Sequence, residues 1–259
     1  MGHSSTDQFE PSRETTKSGP EAEKRVVGLI VDAVLTQRMC AGDRLVERNL
    51  SEASGAGRMA VRNGLIRLAS AGLVELTRNR GALIARISGE DAQEIFDARV
   101  VIEEAGLRKL ARIIDDESIS ELREMVECEA EAYAANEVED ARKISRQFHI
   151  TVTALTGNRR MTRFLEDLIN CQPLLAGDRR GQLSRFTGVP THRAIVEALA
   201  ERDGDKAAML NTGLLRELEN EMALDRAQSE AAEDHDQTKD NRSTGSRAQK
   251  ARRGSETPT

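Results

Sequence analysis

Arg58 and Arg62 lie one helical turn apart in a segment whose apolar residues recur at helical spacing, so both guanidinium forks fall on one face. Such forks match the O6 and N7 acceptors of guanine in the major groove of duplex DNA. Arg62 is the residue expected to read a base. Arg48, on the preceding short helix, is placed to reach a base or a phosphate, and Met59, Asn63, Ile66 and Arg67 share the outward side of the Arg62 helix. Ser145 and His149 stand at i, i+4 in a later segment, and His192 follows further on. Hydrolytic chemistry would need an acid to orient the histidine and a nucleophile motif, and the sequence shows neither. An enzyme is therefore not expected. Cys40, Cys128 and Cys171 are widely separated and form no CxxC, which speaks against a disulfide framework or a cysteine metal site and suits a reducing compartment.

The elements that must hold these residues divide the chain by charge. Its 259 residues carry a net charge of −6, yet residues 24–88 hold eleven Lys or Arg against five Asp or Glu, and residues 89–227 hold nineteen against twenty-eight. A head of +6 is thus joined to a body of −9, with polar ends at 1–23 and 228–259 expected to be disordered. In the head, Val27, Ile30, Val31 and Val34 form one apolar helical stripe, and Ala41-Gly42-Asp43 makes a turn. A short helix spans Glu47 to Ala53, and a third helix spans Arg58 to Ala71. The runs 73–77 and 82–86 then flank Arg78-Asn79-Arg80-Gly81 as a β-hairpin. That order is a winged helix-turn-helix. The body reads as helix throughout, with segments Ala92–Ala111, Ile119–Ala135, Ala141–Leu155, Met161–Cys171, His192–Ala200 and Ala207–Leu224, and with Pro173–Pro190 as the main loop. The fold class is mainly α, a winged head followed by an all-α bundle. Five Phe, one Tyr and no Trp are too few for the stacking platforms of single-strand readers. No run approaches the ~18 apolar residues of a membrane helix, and no signal-peptide core is present, so a soluble protein that is not exported is expected.

Residues 42–86 resemble the DNA-binding domain of GntR-type transcriptional regulators, through Gly42-Asp43-Arg44-Leu45-Val46-Glu47-Arg48, Arg58-Met59-Ala60-Val61-Arg62, Arg67-Leu68, Gly72-Leu73-Val74 and Asn79-Arg80-Gly81. Phe96-Asp97-Ala98-Arg99, Ile102-Glu103, Phe148-His149, Thr156-Gly157-Asn158 and His192–Ala198 resemble the all-helical FCD effector domain of the FadR-like branch. The resemblance implies that Arg48, Arg58 and Arg62 contact DNA and that Arg80 and Gly81, at the wing tip, enter the minor groove; Met59, Asn63 and Arg67, on the same outward side, are expected to bind DNA with them. It implies a cytoplasmic bacterial homodimer, nucleoid-associated when bound, on a palindromic double-stranded operator, with no membrane partner. Most relatives are repressors released by a small organic or sugar acid. The alternatives are an adaptor that no longer binds DNA and a metal-dependent enzyme on the same bundle.

Two departures bear on chemistry. The family's usual Ser-Arg-Thr-Pro-Val-Arg-Glu is here Gly57-Arg58-Met59-Ala60-Val61-Arg62-Asn63, which weakens the N-cap, removes a hydroxyl and an acid, and favours a different half-site. In the effector domain, the family's metal set is an Asp-x-x-x-His pair with two later histidines. His149 and His192 match, but Ser145 stands at the Asp position and Gly213-Leu214 where the last His would fall. Two imidazoles fall short of the three or four ligands of a zinc site, so any Zn, Ni or Mn is expected to be weak. The effector-binding candidates are Arg99, Arg142, Ser145, His149 and His192, a set suited to a carboxylate. Arg193 points away from His192, and Asn158 is expected to be a helix cap.

Overall fold

Helical periodicity registers where a helix begins to be buried, whereas the helix itself starts about a turn earlier, at its polar cap. The computed structural model, which describes residues 17–77, 81–174 and 188–223, shows this displacement repeatedly. In the body, α4 (Gly89–Leu110), α5 (Asp116–Ala134), α6 (Val138–Leu155), α7 (Arg159–Cys171) and α8 (Val189–Ala200) each begin two or three residues before the predicted start. Ser88 and Asp91 form a reciprocal capping box on α4, and the Asp115 and Asn158 side chains cap α5 and α7. Pro190 sits in the first turn of α8, where its missing N–H is harmless, so the loop expected through Pro190 ends earlier. It also starts later, because Gln172–Leu174 form a 3-10 turn directly after α7. A ninth helix, α9, covers 204–223.

In the head, α1 (Pro20–Leu35), α2 (Glu47–Ser54) and α3 (Arg58–Ser70) precede β2 (Val74–Thr77) and β3 (Gly81–Ile84). Two features differ from the sequence reading. Helix α1 starts at Pro20, inside the segment 1–23 expected to be unstructured, because Ala22 and Val26 are fully buried in the head core. A two-residue strand, β1 (Arg44–Leu45), pairs antiparallel with β3 and makes a three-stranded sheet of order β1-β3-β2. Two residues are too short for periodicity to register, and β1 exists through its partner. Gly81 begins β3 at φ +91°, as a hairpin glycine does. The predicted disorder of 1–16 and 228–259, the wing-tip residue Arg80 and the centre of the long loop fall outside the described residues. Among the described residues, no helix is long and apolar enough to cross a membrane.

The head core gathers Val26, Ile30, Leu50, Val61, Leu65, Leu68 and Ile84, and it also takes in Cys171 and Leu174 from the end of α7 and the turn beyond it. The body core is built from α4, α5, α6 and α8 around Leu107, Leu122, Val126, Phe148, Val152 and Ile195. Helix α9 lies along α4, where Arg216 pairs with Asp97 at 2.6 Å and Thr212 with Glu104 at 2.7 Å.

Candidate nucleic-acid interface and effector site

Helix α3 is held by one face and bare on the other. Ala60, Val61, Gly64, Leu65 and Leu68 are buried against α1 and the sheet, whereas Arg58, Met59, Arg62, Asn63 and Ile66 are exposed. Met59 and Ile66 are 66% and 56% exposed, so the face carries apolar contacts on either side of its charge. Arg48 on α2 is also exposed and stands 3.9 Å from Glu52. Arg62 donates through Nε to both carboxylate oxygens of Glu47, at 3.1 and 3.2 Å. An exposed pair of this kind is worth at most about 1 kcal/mol, so it can orient the fork without preventing its transfer to a base.

Gly57 precedes α3 without a side-chain cap, and its amide donates to the Lys17 carbonyl at 2.5 Å. A Cβ at this position would lie 2.8 Å from that oxygen. The departure from Ser therefore reflects a chain crossing that needs glycine. Arg67, grouped with the DNA-facing residues from sequence, lies elsewhere. Its guanidinium is largely buried and reaches Glu166 at 3.4 Å and Asp167 at 3.7 Å on α7. Helical spacing put it near the outward side, but the body covers that part of α3. Arg67 is thus a contact between head and body.

In the body, four helices bring charged groups into one buried chain. Arg99, 1% exposed, donates through Nε to Glu103 Oε1 at 2.8 Å and through Nη1 to Gln172 Oε1 at 2.7 Å. Glu103 Oε2 accepts from His149 Nδ1 at 2.7 Å and from Asn211 Nδ2 at 3.1 Å. His192 Nδ1 stands 2.7 Å from Glu129 Oε2, and the two Nε2 atoms face each other at 3.3 Å. Burial alone would push the Glu103 carboxyl up, but the Arg99 guanidinium and His149 outweigh it and hold it down at about 2. For His149 burial prevails, assisted by Arg99 and His192, and its pKa falls below the ordinary value despite Glu103.

The sequence-derived candidates are only partly assembled here. Arg99, His149 and His192 belong to this chain of contacts, and Ser145 lies half-buried one turn before His149 on α6. Arg142 instead hydrogen-bonds Tyr133 on α5. One turn further along α6, Arg146 is the arginine beside Arg99; burial, and then the Arg99 charge, lower its pKa to about 10. Its Nη2 donates to Asn170 at 3.2 Å, and its Nε is buried without a hydrogen-bond partner among the described residues. Sequence reasoning missed Glu103, Glu129, Arg146 and Asn211 as site residues. Glu103 carried a signal, since a carboxylate at i+4 from Arg99 faces the same way. Arg193 points outward and pairs with Glu127 at 2.8 Å, and Asn158 caps α7, as expected for both.

A resident metal would need three or four protein ligands here. The Glu103 carboxylate, held low, only accepts, so His149 Nδ1 donates to it; His192 Nδ1 lies against Glu129 in the same way, and both rings turn Nε2 toward each other, as metal-binding histidines turn the nitrogen opposite their carboxylate. Among the described residues, no further ligand completes the set. Leu214 packs beside the His192 ring, since both lie within 3.3 Å of the Cβ position of Gly188, and Ser145 offers a hydroxyl. Among the described residues no group of three or more His, Cys, Asp or Glu side chains is placed to hold a metal ion. The described residues do not fit a protein-held metal.

Residues 22–84 match the family model for bacterial regulatory proteins of the gntR family, and residues 94–217 match the FCD domain. The HTH-type transcriptional regulator YdhC of Bacillus subtilis is 26% identical over 173 residues, covering 64% of this chain and 75% of its own length. YdfH of Escherichia coli O6:H1, also an HTH-type transcriptional regulator, is 23% identical over 205 residues, with 77% and 88% covered. Among solved structures, E. coli McbR/YncC superposes with a TM-score of 0.69 at 15% identity, over 80% of this chain and 99% of its own. A GntR transcriptional regulator from Rhodococcus sp. RHA1 gives 0.63 at 24% identity, over 79% and 98%. These two structural likenesses speak for the fold alone.

Proposed function

Because the chain belongs to the gntR family of DNA-binding transcriptional regulators and carries an FCD effector domain, we propose that it is a homodimeric repressor whose hold on a palindromic operator is released by a small carboxylate-containing metabolite. The observation that carries the DNA half is the bare face of α3, where Arg58, Met59, Arg62 and Asn63 stand exposed beside Arg48. Two such heads related by a dyad would address two half-sites, and operator symmetry would mirror protein symmetry. With Arg67 engaged by α7, the direct readers reduce to the first turns of α3, Arg48 and the wing beginning at Gly81. The working place of such a protein is the bacterial cytoplasm, on the nucleoid.

The effector half rests on the buried guanidinium of Arg99 and the neighbouring Arg146. Two cations close together inside a protein favour an anion between or beside them, and a guanidinium fork pairs bidentately with a carboxylate. His149, His192 and Ser145 supply further polar contacts for a hydroxy acid or sugar acid. The acidic body repels DNA, which confines contact to the basic heads.

The test is a gel shift with the intergenic region beside the protein's own gene. Specific, salt-sensitive binding at a palindrome is expected, and Arg62→Ala should weaken it by about tenfold or more, one bidentate base contact being worth ~1–3 kcal/mol, without altering the dimer. No salt-sensitive shift at any nearby palindrome would overturn the regulator reading. Thermal-shift screening with organic and sugar acids, with and without chelator, tests the effector class.

A further inference from the structure

The end of α7 touches both sites at once. Toward the body, Asn170 accepts from Arg146 at 3.2 Å and Gln172 accepts from Arg99 at 2.7 Å. Toward the head, Glu166 and Asp167 hold Arg67 of α3, and Cys171 Sγ lies 2.8 Å from the carbonyl oxygen of Ala71, the residue that ends α3. Cys171 is 1% exposed and shares the head core with Leu174. Burial, with Asp167 adding to it, pushes the Cys171 thiol up to about 12, so it keeps the hydrogen that the Ala71 carbonyl accepts. At the two extremes of this path, Arg67 Nε and Arg146 Nε are buried without hydrogen-bond partners among the described residues.

We propose that Asn170, Cys171 and Gln172 are positioning residues for DNA reading: they set the end of helix α3 according to what Arg99 and Arg146 hold. This rests on the regulator reading above and specifies how its two sites communicate. An acid that takes the guanidinium forks of Arg99 and Arg146 displaces the side-chain oxygens of Gln172 and Asn170. The last turn of α7 then loses these two side-chain ties to the body, and Cys171, packed into the head, moves with α3. The acid shifts the equilibrium only by its preference for the arrangement in which those forks are released. The head and body also meet where Lys143 of α6 reaches Asp32 of α1 at 3.1 Å. That contact bypasses α7 and provides a control.

Hydrogen exchange on the full-length protein, without DNA or any acid, tests the link. The amides of Ala71, Gly72 and Leu73 donate to carbonyls of α3 and report on its last turn. Gln172→Leu, which removes the acceptor for Arg99, should speed their exchange about threefold to tenfold, the equivalent of one net hydrogen bond. Gln172→Glu keeps an acceptor and should retain wild-type protection, as should Lys143→Ala. If Gln172→Leu does not fold, Cys171→Ala against Cys171→Ser makes the same comparison, since only serine keeps a donor for Ala71. Wild-type protection in the folded Leu variant, or equal loss in Lys143→Ala, overturns the proposal. Neither operator nor acid enters the measurement, so its failure is distinct from that of the regulator reading, which shows as a missing gel shift.

Discussion

Glu103→Gln is the substitution that asks most of the buried charge chain. At neutral pH the carboxylate accepts from Arg99, His149 and Asn211. The amide keeps the volume but turns one oxygen into a donor, so either orientation sets an NH2 against Arg99 Nε or against the His149 and Asn211 donors. Holding the carboxyl at about 2 in place of its ordinary 4.5 corresponds to about 3 kcal/mol of folding stability at neutral pH, at ~1.4 kcal/mol per tenfold change in acidity. Removing one partner of a buried ion pair gives a similar figure, ~3–5 kcal/mol, because the charge left on Arg99 is uncompensated. At ~2–4 °C per kcal/mol for a protein near this size, the variant should melt roughly 6–12 °C below wild type at pH 7.5. A depressed carboxyl stabilises above its unfolded pKa and loses that contribution as pH falls from about 4.5 toward 2, so the gap between the two proteins should close over that range. His149 adds a loss in the wild type that begins earlier. Its pKa is lowered on folding, so the unfolded chain takes up the proton first as pH drops below the ordinary histidine value. Circular-dichroism melts from pH 7.5 to 3 measure both effects. A melting difference below about 2 °C at pH 7.5, or one unchanged at pH 3, would refute the reasoning.

Two more outcomes follow from the head. Gly57→Ser restores the family's usual cap, worth only a few tenths of a kcal/mol over glycine, yet its Cβ would meet the Lys17 carbonyl at 2.8 Å; a fall in melting temperature is expected, and an unchanged or raised value would show that the crossing yields easily. Met59, 66% exposed on the bare face of α3, offers a thioether where a hydroxyl is usual and suits contact with a thymine methyl. Replacing operator thymines by deoxyuridine one at a time should weaken wild-type binding at one position per half-site by about threefold or more, from the loss of a buried methyl, and Met59→Ala should be indifferent there; equal sensitivity in both proteins rules out the contact.

The exposed face of α3 was legible because it depends on local order. A helix places Arg58, Met59, Arg62 and Asn63 on its free side through spacing alone, and Val61, Leu65 and Leu68 decide which side is buried. The same reasoning failed for Arg67, which has the right spacing but meets Glu166, 99 residues away in sequence. No periodicity within α3 carries that information.

The amino-acid sequence by itself determined the division into a basic winged head and an acidic helical body, the order of their helices, and the exposed arginine face. Alternation, caps and charge act over a few residues, and such signals survive without a partner. Only the tertiary structure decided that Glu103 joins Arg99 to His149, that Glu129 backs His192, that Arg146 replaces Arg142 beside Arg99, and that Cys171 lies under the end of α3. Those contacts join helices far apart in the chain, and each buried charge takes its partner from whatever the packing brings within reach, since ions left unpaired in a low-dielectric interior are strongly disfavoured.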